Sequence, residues 1–164
     1  MKILIDSREQ APLVFPIDGI CTETKLATLD VGDYQAEYTD GTRPPVVFER
    51  KGLGDLFGTM TAGYARFKRE MERAQEQGIR LILLIEGTLT DVYAGHTYSQ
   101  FAGSSCVQKL FTLWVKYDLY PVFCANRSEM SRYIIEFYAG IGRNYKRASA
   151  LHIPNDYGHA SANG

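Results

Sequence analysis

VVFERKGLGDL (residues 46–56) joins an apolar run to a group of charges and then to the first apolar positions of a helix. The run Val46–Phe48 has the composition of a buried strand, and the apolar spacing from Leu53 onward is helical. A strand that leads directly into a helix is a basic unit of α/β folds. The charges Glu49–Lys51 lie at the join, and Asp55 follows as the helix begins.

Other apolar runs predict strands on both sides of this stretch. The predicted strands are Lys2–Asp6, two strands within Thr22–Thr39 that bend at Gly32, Pro45–Lys51, Arg80–Ile85 and Tyr120–Ala125. A hairpin turn is predicted at Asp40–Gly41, so the early strands are expected to form a meander. Arg80–Ile85 is the most apolar run and is expected at the centre of the sheet, with helices on both faces.

Helical spacing of apolar residues predicts three helical segments. They are Leu53–Gly78 with a kink at Gly58 and Gly63, Ser99–Tyr117, and a last helix from Ser128 to about Tyr145 that Gly140 and Gly142 end. Thr88–Tyr98 is predicted to be a polar loop. The predicted fold is α/β, a mixed sheet flanked by helices, as a single domain over residues 1–150 with a flexible tail at 151–164.

Composition limits the classes of function. The chain has 164 residues, 45% hydrophobic and 23% charged, which fits one globular domain. Its net charge of −1 means that any contact with nucleic acid must be a local basic patch. The three cysteines are widely spaced, which argues against zinc and disulfides. No signal peptide or membrane-spanning run is visible, so we predict a cytoplasmic location.

Acidic residues at several strand ends predict one cluster, because sites gather at strand ends in α/β sheets, and so a hydrolytic site; these acids are Asp6, Glu9, Glu49 and Glu86. Side chains alternate along a strand, so Glu49 and Lys51 share a face while Arg50 points away. If the strand after Asp33 pairs with Val46–Arg50, Asp33 joins that face. Two carboxylates can hold Mg²⁺, which polarises a phosphoryl group, and a lysine can offset charge on the phosphate. Unrelated exposed strand ends are the alternative interpretation of these acids.

These residues resemble the XPF-type structure-specific endonucleases. Gly32–Asp33 followed by ERKGLGD (Glu49–Asp55) is similar to the family's GD…ERKxxxD motif. IDSRE (Ile5–Glu9) resembles its first-strand motif, Arg66 its helical arginine, and LLIEG (Leu83–Gly87) the strand after that helix. The likeness runs in order from Ile3 to Cys124.

The resemblance implies a restriction-endonuclease-like fold. It also implies an enzyme that cuts branched, flapped or forked DNA in repair or recombination and that uses Mg²⁺, or Mn²⁺ in its place. It implies catalytic roles for Asp33, Glu49, Lys51, Asp6 and Arg50. Of these, Asp33, Glu49 and Asp6 are the implied metal ligands, Asp6 directly or through water. The supporting positions, which hold the site or the DNA phosphates, are Arg8, Glu9, Arg50, Asp55 and Arg66. A homodimer is also implied, with part of the stripe Tyr133, Phe137, Tyr138 and Ile141 as its face.

Some features depart from the family pattern. Glu70 stands one helical turn after Arg66, where the family often has glutamine, and helix-hairpin-helix modules are missing. We therefore expect a compact stand-alone form, bacterial or viral. Basic groups at Arg66–Arg73 and Arg143–Arg147 are either DNA contacts or solvated surface. Two other functions stay open: a non-catalytic scaffold that binds DNA or a partner, and another nuclease of the same fold, such as a junction resolvase or nicking enzyme.

Overall fold

A computed structural model describes the backbone of residues 1–150 and the side chains of residues 1–143. The described part of the chain forms one six-stranded sheet and five helices. The elements are β1 (Lys2–Asp6), β2 (Glu23–Ala27), β3 (Tyr34–Glu37), β4 (Val46–Gly52), α1 (Leu53–Met60), α2 (Tyr64–Glu76), β5 (Arg80–Glu86), α3 (Leu89–Ala94), α4 (Gly103–Tyr117), β6 (Tyr120–Cys124) and α5 (Arg127–Ala150). No described helix has the length and apolar character that a bilayer span requires.

The sheet is mixed, as the sequence predicts, with the strand order β2-β1-β3-β4-β5-β6. Strand β3 is antiparallel to both β1 and β4, whereas β4, β5 and β6 are parallel. The predicted meander is wrong because β2 pairs in parallel with β1 at the outer edge. A parallel pair needs a crossover, and the segment after β1 supplies it, with Leu13 and Phe15 buried.

Both faces of β5 are covered, as its apolar sequence predicts. Leu81, Leu83 and Ile85 belong to the core cluster formed with α1, α2 and α4. Ile82 and Leu84 point to the opposite face and belong to the cluster formed with α5. The parallel strands β4 and β5 therefore lie between two helical layers.

The helices confirm the predicted kink at Gly63 but not at Gly58, which lies within α1, and they correct the predictions for the loop after β5 and for the start of α4. A short break separates α1 from α2 at the position of Gly63. The predicted loop after β5 contains α3, which begins with a capping box between Thr88 and Asp91. The next helix begins at Gly103 rather than Ser99, because the Ser99 hydroxyl closes a turn by accepting a hydrogen bond from the Phe101 amide at 3.2 Å.

Helix α5 differs from its prediction at both ends. Its first turn is capped by Asn126, whose side chain accepts a hydrogen bond from the Glu129 amide at 3.0 Å, and not by Ser128. The helix continues past Gly140 and Gly142 to Ala150. Gly142 serves close packing, since a Cβ there would lie 2.8 Å from the Tyr38 ring. The predicted tail at 151–164 lies outside the described residues.

Candidate active site

Asp33, Glu49 and Lys51 come together at the carboxyl end of β4. The antiparallel register pairs Tyr34 with Phe48, which places Asp33 beside Glu49 on the same face of the sheet. The Arg50 amide donates a hydrogen bond of 2.7 Å to Asp33 Oδ2, and Lys51 Nζ donates to Glu49 Oε1. The structure thus places two carboxylates and one ammonium on one face, in the arrangement that strand alternation predicts.

These three groups open into a cavity of about 320 Å³ between the sheet and helix α2. Helix α2 supplies basic residues to the opposite wall, and the ends of β1 and the β2–β3 connection close the cavity. The lining residues are Asp6, Arg8, Asp30, Gly32, Asp33, Glu49, Lys51, Thr59, Gly63, Arg66, Phe67, Arg69, Glu70 and Arg73. The cavity therefore combines an acidic floor, which contains Asp33 and Glu49, with an arginine wall formed by Arg8, Arg66, Arg69 and Arg73.

Burial strongly perturbs the two carboxylates. It is the main reason that the pKa of Glu49 is raised, to about 8, and the nearby Asp33 carboxylate adds to the rise. Burial also raises the pKa of Asp33, to about 6, although the hydrogen bond from the Arg50 amide opposes this. Both carboxylates thus need more positive charge than the protein supplies, and a bound cation would favour their ionised forms.

Lys51 supplies part of the compensating charge. Burial alone would lower the pKa of Lys51, but the Glu49 carboxylate outweighs burial and holds the pKa above its usual value. The ammonium also lies 5.7 Å from the centre of the Phe67 ring. Lys51 is therefore a fixed positive charge inside the cavity.

The chemistry of the pair fits a hard divalent cation. Asp33 Oδ2 and Glu49 Oε1 are occupied by hydrogen bonds, which leaves one oxygen of each carboxylate for a cation. Within the described residues, no group of three or more Asp, Glu, His or Cys side chains could hold a metal ion. Two carboxylates are sufficient for Mg²⁺, because it usually keeps several waters and is completed by substrate phosphates.

Asp6 lines the cavity, but both of its oxygens are already engaged. They accept hydrogen bonds from the Arg8 guanidinium at 2.7 and 3.0 Å, from the Arg8 amide at 2.9 Å and from the Leu29 amide at 2.7 Å. Burial would raise the pKa of Asp6, but these bonds outweigh it and hold the pKa below its usual value. The geometry favours an indirect role for Asp6, through water or through Arg8. Its role as a metal ligand stays a prediction.

Arg50 lies on the opposite face of the sheet, away from the cavity. Its guanidinium pairs with Glu9 at 3.4 Å and with Glu86 at 3.3 Å, and Glu86 also pairs with Arg127 at 3.7 Å. These contacts tie together the ends of β1, β4 and β5. This geometry does not favour the catalytic role implied for Arg50. It supports a structural role, in which the guanidinium holds the strand ends together and so keeps the Arg50 backbone amide in place to donate to Asp33.

The strand-end acids form two groups rather than the single cluster that we predicted. Asp33 and Glu49 face the cavity, whereas Glu9 and Glu86 lie with Arg50 on the other face. Asp55 is exposed in the first turn of α1 and does not line the cavity. Alternation within β4 explains the division, because consecutive residues project to opposite faces.

The basic residues of α2 divide in a similar way. Arg66, Arg69 and Arg73 line the cavity, whereas Lys68 pairs with Glu72 at 3.3 Å. Arg8 joins the three arginines from the end of β1, with 66% of its side chain exposed. The wall that faces the carboxylates is thus basic and accessible to solvent.

Comparison with known families decides what kind of domain this is. The family model described as the ERCC4 domain matches residues 5–137, which include all of the residues that line the cavity. The chain belongs to the ERCC4 domain family. Its resemblance to the XPF-type nucleases is thereby confirmed.

Solved structures match the fold of this ERCC4 domain. XPF from Aeropyrum pernix aligns with a TM-score of 0.64 at 16% identity, over 93% of this chain and 69% of that chain. The structure of XPF from Aeropyrum pernix in complex with DNA aligns with a TM-score of 0.61 at 15% identity, over 87% of this chain and 65% of that chain. The predicted restriction-endonuclease-like mixed sheet is confirmed. None of the curated proteins compared matches the chain.

Glu70, like Asp30, lines the cavity of this ERCC4 domain although the sequence did not place it in the site. Its Oε1 accepts a hydrogen bond of 3.2 Å from the Gly32 amide, which joins helix α2 to the turn before Asp33. The available signal was helical spacing: Glu70 lies one turn after Arg66, so both project from the same face of α2. A third carboxylate therefore faces the Asp33–Glu49 pair.

Proposed function

We propose that this chain is a divalent-cation-dependent DNA endonuclease that hydrolyses phosphodiester bonds at branched, flapped or forked DNA. One observation carries the proposal: Asp33 and Glu49, each with a free oxygen, meet Lys51 in a cavity with an arginine wall. Membership of the ERCC4 domain family and the likeness to an XPF structure that holds DNA support it.

Asp33 and Glu49 would hold Mg²⁺, with Mn²⁺ as a substitute and Asp6 as a further contact through water. The bound cation would polarise the phosphoryl group and make water more acidic. The chain's own residues fix the two carboxylates, since β3–β4 pairing and the Arg50 amide hold Asp33 while Lys51 holds Glu49.

Lys51 would act on the scissile phosphate. Its ammonium is kept charged by Glu49 and has only 15% of its side chain exposed. A charge fixed in advance in a water-poor site stabilises developing negative charge more strongly than one in bulk water. Lys51 would therefore offset the charge that grows on the phosphate, or orient the attacking water.

The arginine wall would hold the DNA backbone. Arg8, Arg66, Arg69 and Arg73 surround the cavity and present donors that suit phosphate oxygens. Selectivity would come from DNA shape, since a branch point bends into a cleft more easily than continuous duplex.

A homodimer and a cytoplasmic location stay predictions. Tyr138 is fully buried and donates a hydrogen bond of 2.7 Å to the Val46 carbonyl, so it belongs to the core. Tyr133 is 36% exposed, and Phe137 and Ile141 are half-buried, so these three residues of the predicted stripe remain for a dimer face.

Incubation with flap, fork, junction and plain duplex DNA tests the proposed activity and substrate together. We expect cutting of flap and fork DNA in Mg²⁺ or Mn²⁺, little cutting of plain duplex, and none in EDTA. Preference for four-way junctions would indicate a resolvase of the same fold. Binding without cutting in any cation would indicate a scaffold, although the intact acid pair and Lys51 argue against this.

Arg66 provides a test of the DNA surface. We expect weak binding with a salt slope of about −2 to −4 per protomer, because each neutralised phosphate contributes about −0.9. Arg66→Ala should weaken binding to all sequences alike and flatten the slope by about one unit. Fluorescence anisotropy across a salt series measures both quantities.

Arg80→Ala is a matched control for Arg66→Ala. Arg80 is also an arginine near α2, but it pairs with Asp118 at 2.9 Å and does not line the cavity. Its replacement should leave the salt slope unchanged. Tight, steeply salt-dependent binding that Arg66→Ala does not alter would mean that the DNA surface lies elsewhere, with residues 143–147 as the next segment to test.

A further inference from the structure

Glu70 is held in place by the turn that precedes Asp33. Its hydrogen bond comes from the amide of Gly32, which has a φ of +69°. A Cβ at Gly32 would lie 2.4 Å from Val47 Cγ1, so this turn packs tightly against β4. The Glu70 carboxylate is therefore anchored to the segment that also positions Asp33.

The charge of Glu70 is not neutralised by the arginines around it. Arg66, Arg69 and Arg73 belong to the same helix, yet among the described residues no Lys or Arg nitrogen lies within ion-pair distance of Glu70. Glu70 lines the same cavity as Asp33 and Glu49, and the amide that donates to its Oε1 belongs to Gly32, the residue before Asp33. Glu70 therefore adds its negative charge to the cavity of the acid pair without an ion pair of its own, and Arg8 and Lys51 also feel that charge.

Charge balance shows what this arrangement requires. When Asp33, Glu49 and Glu70 are all ionised, three carboxylates face the single ammonium of Lys51. Among these four side chains of the cavity floor, which exclude the Asp6–Arg8 ion pair, Asp30 and the arginines of the wall, two negative charges are then in excess, and one divalent cation balances them. Without the cation, this floor repels a DNA phosphate. With the cation, it is neutral, and the arginine wall controls the approach of the phosphate.

We propose that Glu70 makes DNA binding depend on a bound divalent cation. This role rests on the proposed function. Glu70 acts through its charge. It strengthens cation binding at Asp33 and Glu49 and weakens DNA binding when the cation is absent. Neither effect needs Glu70 to contact the cation.

Glu70→Gln tests the role of the charge, since glutamine keeps an oxygen that can accept the Gly32 hydrogen bond. Calorimetry should show Mn²⁺ binding weakened about 10-fold, the lower end of the range for residues outside the ligand shell. Anisotropy in EDTA should show DNA binding tightened about threefold, the scale of one unit charge acting across several ångströms of water.

Two further variants separate this role from structural effects. Glu76→Gln removes the same charge from an exposed position of α2 that does not line the cavity, and it should change neither affinity. Glu70→Ala removes both the charge and the hydrogen bond, and it should repeat the Mn²⁺ and DNA effects of Glu70→Gln.

The outcomes distinguish this role from the proposed function. If wild-type protein binds Mn²⁺ and Glu70→Gln binds Mn²⁺ and DNA as the wild type does, the role of Glu70 is overturned and the proposed function stands. An effect of Glu70→Ala without an effect of Glu70→Gln would also overturn it, in favour of a purely structural bond to Gly32. Wild-type protein that binds neither Mn²⁺ nor DNA would overturn the proposed function and this role together.

Discussion

Glu49→Gln and Asp33→Asn are each expected to abolish DNA cutting while the fold persists. Each change removes one of the two carboxylates that would hold the cation, so the phosphoryl group loses its activation. Folding should survive because the change relieves repulsion between two buried acids in the metal-free protein. Cleavage of flap DNA in Mg²⁺ measures activity, and circular dichroism confirms the fold.

Thermal stability supplies the control for these two variants. Mn²⁺ should stabilise the wild-type protein, because a ligand that binds only the native state raises its melting temperature. Both variants should lose that gain. A variant that Mn²⁺ still stabilises to the wild-type extent would place the cation away from Asp33 and Glu49.

The pH dependence of metal-free stability gives a second readout for Glu49. Its pKa is raised from 4.5 to about 8 in the native state, so the native protein keeps a proton that the unfolded chain releases. Stability should therefore fall as pH rises between these two values. Glu49→Gln should remove this part of the dependence, which urea unfolding in EDTA at several pH values can measure.

Lys51→Ala is expected to lower turnover by about 10²-fold or more, the scale for loss of a preorganised charge. The variant keeps both carboxylates and removes a positive charge that competes for Glu49. Mn²⁺ binding should therefore persist or become stronger while cutting falls. Single-turnover kinetics at saturating Mn²⁺, together with calorimetry, separates these two effects.

Lys25→Ala is a suitable control because Lys25 is exposed on the edge strand β2 and does not line the cavity. It should cut DNA as the wild type does. Normal turnover in Lys51→Ala would show that Lys51 has no role in catalysis and is only a solvated charge at the end of β4.

The strands and long helices were predictable where a single pattern of apolar residues, either a continuous run or helical spacing, marks the element. The apolar run of β5 and the helical spacing of α2 each reflect burial by the whole domain, and both appear close to their predicted positions. Alternation within β4 similarly predicted that Glu49 and Lys51 share a face and that Arg50 points away.

Other features depend on contacts that local sequence does not encode. The parallel pairing of β2 with β1 is set by the crossover that buries Leu13 and Phe15, and not by the nearest turn. Gly142 resembles a helix end in sequence, but the close approach of Tyr38 explains it within α5. Helix α3 was detectable in principle, because its capping box joins residues three positions apart.

Prediction of the site was limited because local sequence does not specify which helix packs over which strands. Pairing of β3 with β4 was enough to bring Asp33 to Glu49, but the position of α2 over that pair is a tertiary contact. Glu70 was therefore recognised as a departure from a motif and not as a member of the cavity. The same limit explains why Glu9 and Glu86 were grouped with acids that lie on the other face of the sheet.

An anomalous difference map from crystals soaked in Mn²⁺ tests most directly whether this cavity is a cation-dependent nuclease site. We expect a peak in contact with the carboxylates of both Asp33 and Glu49, and no such peak in crystals of Glu49→Gln. A Mn²⁺ peak at another position, or an empty cavity at a Mn²⁺ concentration that supports cutting, would contradict the assignment.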